Sequence, residues 1–107
     1  KETNLKNRFL DYVQVDTQSV EGSETFPSSL KEKVLGAKLV DELKSLGITD
    51  AEMDENGYVY AKLASNCGNK KRVAFIAHMD VALDCAGEGV KPVLHENYDV
   101  TLKWKLF

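Results

Sequence analysis

The apolar residues of this chain recur at helical spacing in two segments. In residues 3–15 they form one face of a short amphipathic helix. A broader apolar stripe runs through residues 29–46, where Ser29 and Glu32 are spaced as a capping box and Gly47 follows as a C-terminal cap. The pattern therefore predicts two helices, the second of which covers one face of a sheet.

A hairpin is predicted after the second helix. Asn56-Gly57 lies between strand-like segments, and this dipeptide favours a tight turn between antiparallel strands. Residues 58–63 beyond it are rich in side chains with high β propensity. Residues 20–27 predict a surface loop because they are rich in Gly, Ser, Glu and Thr, and residues 16–19 are interpreted as a helix exit and turn.

The uninterrupted apolar run at residues 73–77 predicts the central element of the fold. Because the run is short and rich in Val, Phe and Ile, it favours an interior parallel strand over residues 72–78. A buried helix segment is the competing interpretation. Residues 100–107 alternate and predict a further strand. The fold class expected is α/β, with helices packed on a mixed, partly parallel sheet.

A histidine and an aspartate follow the predicted strand directly. Ligands of open α/β sheets lie beyond the carboxyl ends of parallel strands, where His78 and Asp80 are found. Residues two apart in extended backbone project to the same side, so we expect the Asp80 carboxylate beside the His78 imidazole. Such a carboxylate supports a metal-binding histidine. A structural or surface histidine is the simpler interpretation, and the short pattern leaves both open.

A local zinc site is a weaker alternative. Its candidate ligands are His78, Asp80, Asp84, Cys85 and His95. Their spacings match no familiar structural zinc pattern, in which two pairs of closely spaced ligands face each other. The chain also lacks a glycine-rich phosphate loop and a Gly-x-Ser-x-Gly nucleophile element. Pattern alone therefore predicts an α/β domain with a candidate metal ligand at the end of a strand.

Composition and charge exclude several classes of partner. The chain has 107 residues, the size of one small domain, and 14 basic against 17 acidic residues give a net charge of -3. Without a basic block, nucleic acid is excluded as a partner. No apolar run approaches the roughly 18 residues of a membrane span, so no membrane partner is expected. Cys67 and Cys85 do not form a disulfide framework and predict a reducing, cytoplasmic location.

Several segments resemble one enzyme family in the same order along the chain. They are residues 7–13, 15–19, 53–59, 75–80 with its His78-Met79-Asp80, 84–87 with its Asp84-Cys85-Ala86-Gly87, 90–92 and 95–98. Together they resemble the peptidase T family, the bacterial tripeptide aminopeptidases of the di-zinc aminopeptidase/carboxypeptidase group. An ordered set of this kind is more specific than any single motif.

The resemblance implies roles for two residues. His78 corresponds to the family's first zinc-ligating histidine, and Asp80 to the catalytic-site aspartate that orients it. A complete active site holds two zinc ions, and this chain supplies one ligand. Val81 stands where the family usually has Thr, which removes a hydroxyl but no ligand. The implied activity is zinc-assisted removal of the N-terminal residue from tripeptides.

The resemblance also implies that residues 1–107 form the N-terminal portion of a larger catalytic domain. The remaining ligands, the general base and the lid domain belong to later segments in the family. We therefore expect the 107-residue chain to be inactive alone and to self-associate through open strand edges. Two alternatives stay open: a dipeptidase, carboxypeptidase or deacylase of the same metallopeptidase group, and a non-catalytic α/β interaction module.

Overall fold

The structure is a computed structural model that describes residues 4–68 and 70–97, so the predicted strand at 100–107 lies outside it. Among the described residues, no helix is both long enough and apolar enough to cross a membrane. The elements form a mixed α/β arrangement, as predicted. They are α1 (Leu5–Tyr12), α2 (Glu32–Ser45), β1 (Glu52–Met53) and β2 (Val59–Tyr60).

The N-terminal turn of α2 is tighter than the rest of the helix. The Glu32 carboxylate accepts the Ser29 N–H at 3.1 Å, and Ser29 Oγ accepts the Lys31 N–H at 3.3 Å. The N–H groups of Glu32, Lys33 and Val34 each donate to the carbonyl three residues earlier, at 3.0–3.2 Å. The Glu32 half of the predicted capping box is therefore formed, whereas Ser29 Oγ accepts from Lys31 instead of Glu32. The regular helix nevertheless begins three residues later than predicted, because its first turn is of the 3₁₀ type.

The C-terminal end of α2 is closed by Gly47, as the sequence predicts. The Ile48 N–H donates to the Leu43 carbonyl and the Gly47 N–H to the Lys44 carbonyl, both at 3.0 Å. These two bonds define a Schellman motif, which requires a residue with positive φ after the helix. Gly47 has φ of 94°.

Replacing Gly47 by Ala should destabilise the end of α2 by about 1 kcal/mol, because a Cβ is strained at positive φ. Apart from the adjacent residues, no described atom lies within 4 Å of a Cβ built at Gly47, so the expected cost is backbone strain. Urea unfolding followed by circular dichroism measures the change. Gly68→Ala is the matched control, since the space around Gly68 is also open. An equal effect of the two substitutions would contradict this explanation.

The predicted hairpin is present and is built around Asp54. Its N–H donates to the Tyr58 carbonyl at 2.9 Å, and its carbonyl accepts the Gly57 N–H at 3.1 Å. Its carboxylate accepts the N–H groups of Asn56 and Tyr58 at 3.0 and 2.8 Å. Gly57 has φ of 86°, which suits a turn followed by a left-handed residue. The second strand is shorter than the predicted 58–63, because only β2 is paired.

The core lies where α2 crosses the hairpin. Leu35, Val40 and Ala51 are its buried apolar residues. The backbones approach closely at Gly36, where an added Cβ would lie 2.5 Å from Met53 Sδ. The absence of a side chain at Gly36 therefore lets the helix rest on β1.

Helix α1 is attached to α2 by polar side chains. The Arg8 guanidinium and the Tyr12 hydroxyl both contact the Glu42 carboxylate, and Lys38 Nζ lies 2.5 Å from Asp11 Oδ2. Burial, followed by the hydrogen bond to Glu42, raises the pKa of Tyr12. No residue of α1 is buried, so these contacts, rather than an apolar interface, fix the helix. The helix is shorter than the predicted 3–15.

The predicted interior parallel strand over residues 72–78 is not confirmed by this structure. Residues 70–80 have no regular secondary structure, and the competing helix is absent there as well. Phe75 and Ile76 are 96% and 95% exposed. A strand buried on both faces needs hydrogen-bonded neighbours and covering helices. Within the described part of the chain, the sheet contains β1 and β2 only, and these two strands pair with each other.

Candidate functional site

His78 and Asp80 contact each other as the sequence predicts. His78 Nδ1 lies 3.1 Å from Asp80 Oδ1. The side chain of His78 is 83% exposed and that of Asp80 is 45% exposed. The contact uses one nitrogen of the imidazole and leaves the other, Nε2, out of the pair. This is the geometry of a carboxylate that orients a histidine.

The second oxygen of Asp80 has a partner that the sequence analysis missed. Ser19 Oγ donates to Asp80 Oδ2 at 2.8 Å, so each carboxylate oxygen is engaged by a different side chain. The hydrogen bond from Ser19, followed by the one from His78, holds the pKa of Asp80 below its usual value. The carboxylate is therefore the ionised centre of a three-residue hydrogen-bonded chain.

Ser19 belongs to a short segment, residues 16–19, which we call the clamp segment. The Val81 N–H donates to the Thr17 carbonyl at 3.1 Å, and the Ser19 N–H donates to the Val81 carbonyl at 3.2 Å. These bonds form an isolated parallel bridge between Gln18 and Val81. Thr17 is 2% exposed. The interpretation of residues 16–19 as a simple helix exit and turn is therefore incomplete, because they pair with the backbone next to Asp80.

The clamp segment also holds the loop that follows this bridge. Gln18 Nε2 donates to the Cys85 carbonyl at 2.8 Å and to the Leu83 carbonyl at 3.3 Å. Gly87 is buried against the segment, and an added Cβ would lie 2.6 Å from Asp16 Oδ1 and 3.2 Å from Gln18 Cβ. The two parts of the chain fit closely only because residue 87 has no side chain.

Asp16 connects the clamp segment to the start of α2. Its Oδ1 accepts the Gln18 N–H at 3.1 Å, and its Oδ2 lies 2.5 Å from Lys31 Nζ. Lys31, followed by the Gln18 N–H, holds the pKa of Asp16 below its usual value, and Asp16 raises the pKa of Lys31 in return. The ion pair between Asp16 and Lys31 therefore links the clamp segment to the residue that precedes α2.

Lys31→Gln should raise the pKa of Asp16 toward its ordinary value of 3.8. Because the folded pKa is lowered, the ion pair contributes stability above pH 3.8, and this contribution is lost as the pH falls through the folded value. A titration of the Asp16 carboxyl carbon by NMR measures the change. Lys33→Gln is the control, since Lys33 Nζ contacts the Glu55 carbonyl instead. An unchanged Asp16 pKa in Lys31→Gln would contradict the assignment.

The alternative of a local zinc site is wrong for the part of the chain that the structure describes. No group of three or more His, Cys, Asp or Glu side chains that could hold a metal is found there. Of the five candidate ligands, His78 and Asp80 contact each other, at 3.1 Å. Cys67 and Cys85 are both exposed and are not joined by a disulfide.

Curated peptidase T proteins from several bacteria are similar to this chain. It is 52% identical over 99 residues to peptidase T of Alkaliphilus oremlandii (strain OhILAs) and 50% identical over 98 residues to that of Brevibacillus brevis (strain 47). Identity to peptidase T of Bacillus cereus (strain Q1) is 47% over 96 residues. The predicted resemblance is confirmed. No protein-family model matches the chain.

These alignments cover most of this chain but only a small part of each relative. They cover 90%, 91% and 89% of this chain, but 24%, 24% and 23% of the respective relatives. The chain therefore spans about a quarter of the length of the curated relatives it matches.

Proposed function

We propose that this chain is part of a peptidase T-like tripeptide aminopeptidase, a cytoplasmic hydrolase that removes the N-terminal residue from tripeptides with two zinc ions. The observation that carries the proposal is the contact of His78 Nδ1 with Asp80 Oδ1. This contact occurs in a chain that is 52% identical to a curated peptidase T over 90% of the chain's own length. Residues 1–107 are then the N-terminal portion of the catalytic domain.

The residues present fit one edge of a zinc site. Imidazole nitrogen is a usual zinc ligand, and an exposed histidine supported by a carboxylate has the required chemistry. His78 would bind the metal, and Asp80 would orient the ring. When bound, zinc polarises a carbonyl group and lowers the pKa of a water molecule. A catalytic zinc takes three protein ligands, so the proposal requires ligands from segments outside the described residues.

The exposed apolar run supports a larger domain. Val73, Phe75 and Ile76 all lie open on the surface. Contiguous exposed apolar patches on soluble proteins mark surfaces that contact other protein or membrane. We attribute this patch to contact with the catalytic-domain segments that the relatives have beyond the matched quarter. In the complete domain, this run would belong to a mixed, partly parallel sheet.

The isolated 107-residue chain should form dimers or larger oligomers through this run. Exposed apolar side chains and unpaired backbone groups favour association with a second copy. Light scattering over a concentration series measures the mass. Replacing both Phe75 and Ile76 by Lys should shift the chain toward monomer, whereas Val20→Lys, in an exposed loop, should not. A strictly monomeric chain at high concentration would contradict the prediction.

The proposed function is tested on the product of the complete gene. The purified protein, reconstituted with zinc, is incubated with tripeptides, dipeptides and N-acylated amino acids, and the products are identified by mass spectrometry. Release of the N-terminal residue from tripeptides is expected. Cleavage of dipeptides, removal of a C-terminal residue or deacylation would instead support another member of the metallopeptidase group. A gene that ends at codon 107 would favour the interaction module.

A further inference from the structure

Ser19 occupies a position that the proposed mechanism leaves without a role. Its hydroxyl donates to Asp80 Oδ2, while Asp80 Oδ1 faces His78 Nδ1. We propose that Ser19 is a positioning residue, whose hydroxyl fixes the Asp80 carboxylate in the orientation that holds the His78 imidazole. The inference rests on the roles proposed above for His78 and Asp80, and it adds a third residue to their chain.

The need for such a residue follows from the exposure of the pair. Neither the Asp80 nor the His78 side chain is held in place by burial. The terminal torsion of an aspartate is broad, so packing or hydrogen bonds must select the orientation of the carboxylate. A hydroxyl bonded to a carboxylate makes a charge-assisted hydrogen bond, which is stronger than a neutral one. The contact at 2.8 Å is therefore well suited to select one orientation.

The backbone of Ser19 is itself held in place. Its N–H donates to the Val81 carbonyl, and Val81 in turn donates to the carbonyl of buried Thr17. The bridge thus joins Gln18, the neighbour of Ser19, to Val81, the neighbour of Asp80. The distance between Ser19 and Asp80 is set by backbone hydrogen bonds, and the hydroxyl is presented from a fixed support.

A purely structural role for Ser19 makes a different prediction. If the hydroxyl only strengthened the bridge, its removal would loosen the Val81 N–H and leave the state of the His78 ring unaffected. If it positions Asp80, the bridge persists and the ring responds. Amide hydrogen exchange at Val81 and the tautomer of His78 therefore separate the two roles.

The test is nitrogen-15 NMR of the histidine rings in the 107-residue chain at mildly alkaline pH. His78 signals are identified by their loss in His78→Gln. In the wild type, the form protonated at Nδ1 should predominate, because Nδ1 faces a carboxylate. Ser19→Ala should lower the ratio of the Nδ1–H to the Nε2–H form at least about two-fold, with Val81 protection retained. Ser19→Thr, which keeps the hydroxyl, should restore the wild-type ratio.

Ser23→Ala is the matched control, because the Ser23 hydroxyl is bonded to Thr25 and not to Asp80. It should leave the His78 tautomer unchanged. An unchanged tautomer in Ser19→Ala would overturn the inference, and so would lost Val81 protection in that variant. In the complete enzyme, Ser19→Ala should lower kcat about 10-fold with KM little changed. Absence of tripeptidase activity in the wild-type complete enzyme would refute the proposed function, whereas the tautomer ratio would still report on Ser19.

Discussion

His78→Ala, made in the product of the complete gene, should lower tripeptide hydrolysis more than about 100-fold and remove one zinc ion. The loss should exceed the roughly 10–100-fold cost of removing a group that only orients a ligand, because the ligand itself is removed. Activity assays and zinc analysis by mass spectrometry of the purified variant measure both effects. Asp80→Ala should retain the fold and lose about 10–100-fold in activity, since Asp80 acts on the ring.

His95→Ala is the control for this prediction, since His95 is the chain's other histidine and lies in the loop at the end of the described residues. It should keep its zinc and most of its activity. Full zinc content in His78→Ala, or an equal loss in His95→Ala, would contradict the role assigned to His78.

The 107-residue chain alone should show no tripeptide hydrolysis above background and at most weak zinc binding. Tight binding in folded sites comes from several ligands held in place together, and a catalytic zinc needs three. The described residues offer no group of three such ligands. A positioned general base is also required, and the family resemblance places it in a later segment.

Calorimetric titration with zinc and a sensitive fluorogenic tripeptide assay measure these two properties of the chain. The product of the complete gene is the positive control in both experiments. Zinc-dependent cleavage by the 107-residue chain, abolished by His78→Ala, would show that the chain contains a complete site.

The elements that the sequence predicts correctly are those whose signals are local. Gly47 closes α2 through bonds to Leu43 and Lys44, and Asp54 organises the hairpin through neighbours within four residues. Each of these contacts depends on residues that a short window of sequence contains. The His78–Asp80 contact belongs to the same class, because it joins residues two apart.

The elements that the sequence analysis missed depend on distant partners. Residues 72–78 have the composition of an interior strand, but composition does not supply the neighbouring strands that such an element needs. The bond from Ser19 to Asp80 joins residues 61 apart, and no periodicity in either segment indicates that they meet. The segments that contain Ser19 and Asp80 both lie within the family resemblance. That resemblance is the one sequence signal that they belong to a common site.

The central claim is that His78 holds zinc while Asp80 and the clamp segment support it. Crystals of the product of the complete gene, grown with zinc and measured at the zinc absorption edge, test this claim most directly. We predict an anomalous peak bonded to His78, with Nδ1 of the ring still paired to Asp80 and Ser19 Oγ on the second carboxylate oxygen. Zinc peaks located elsewhere, with His78 unliganded, would contradict it.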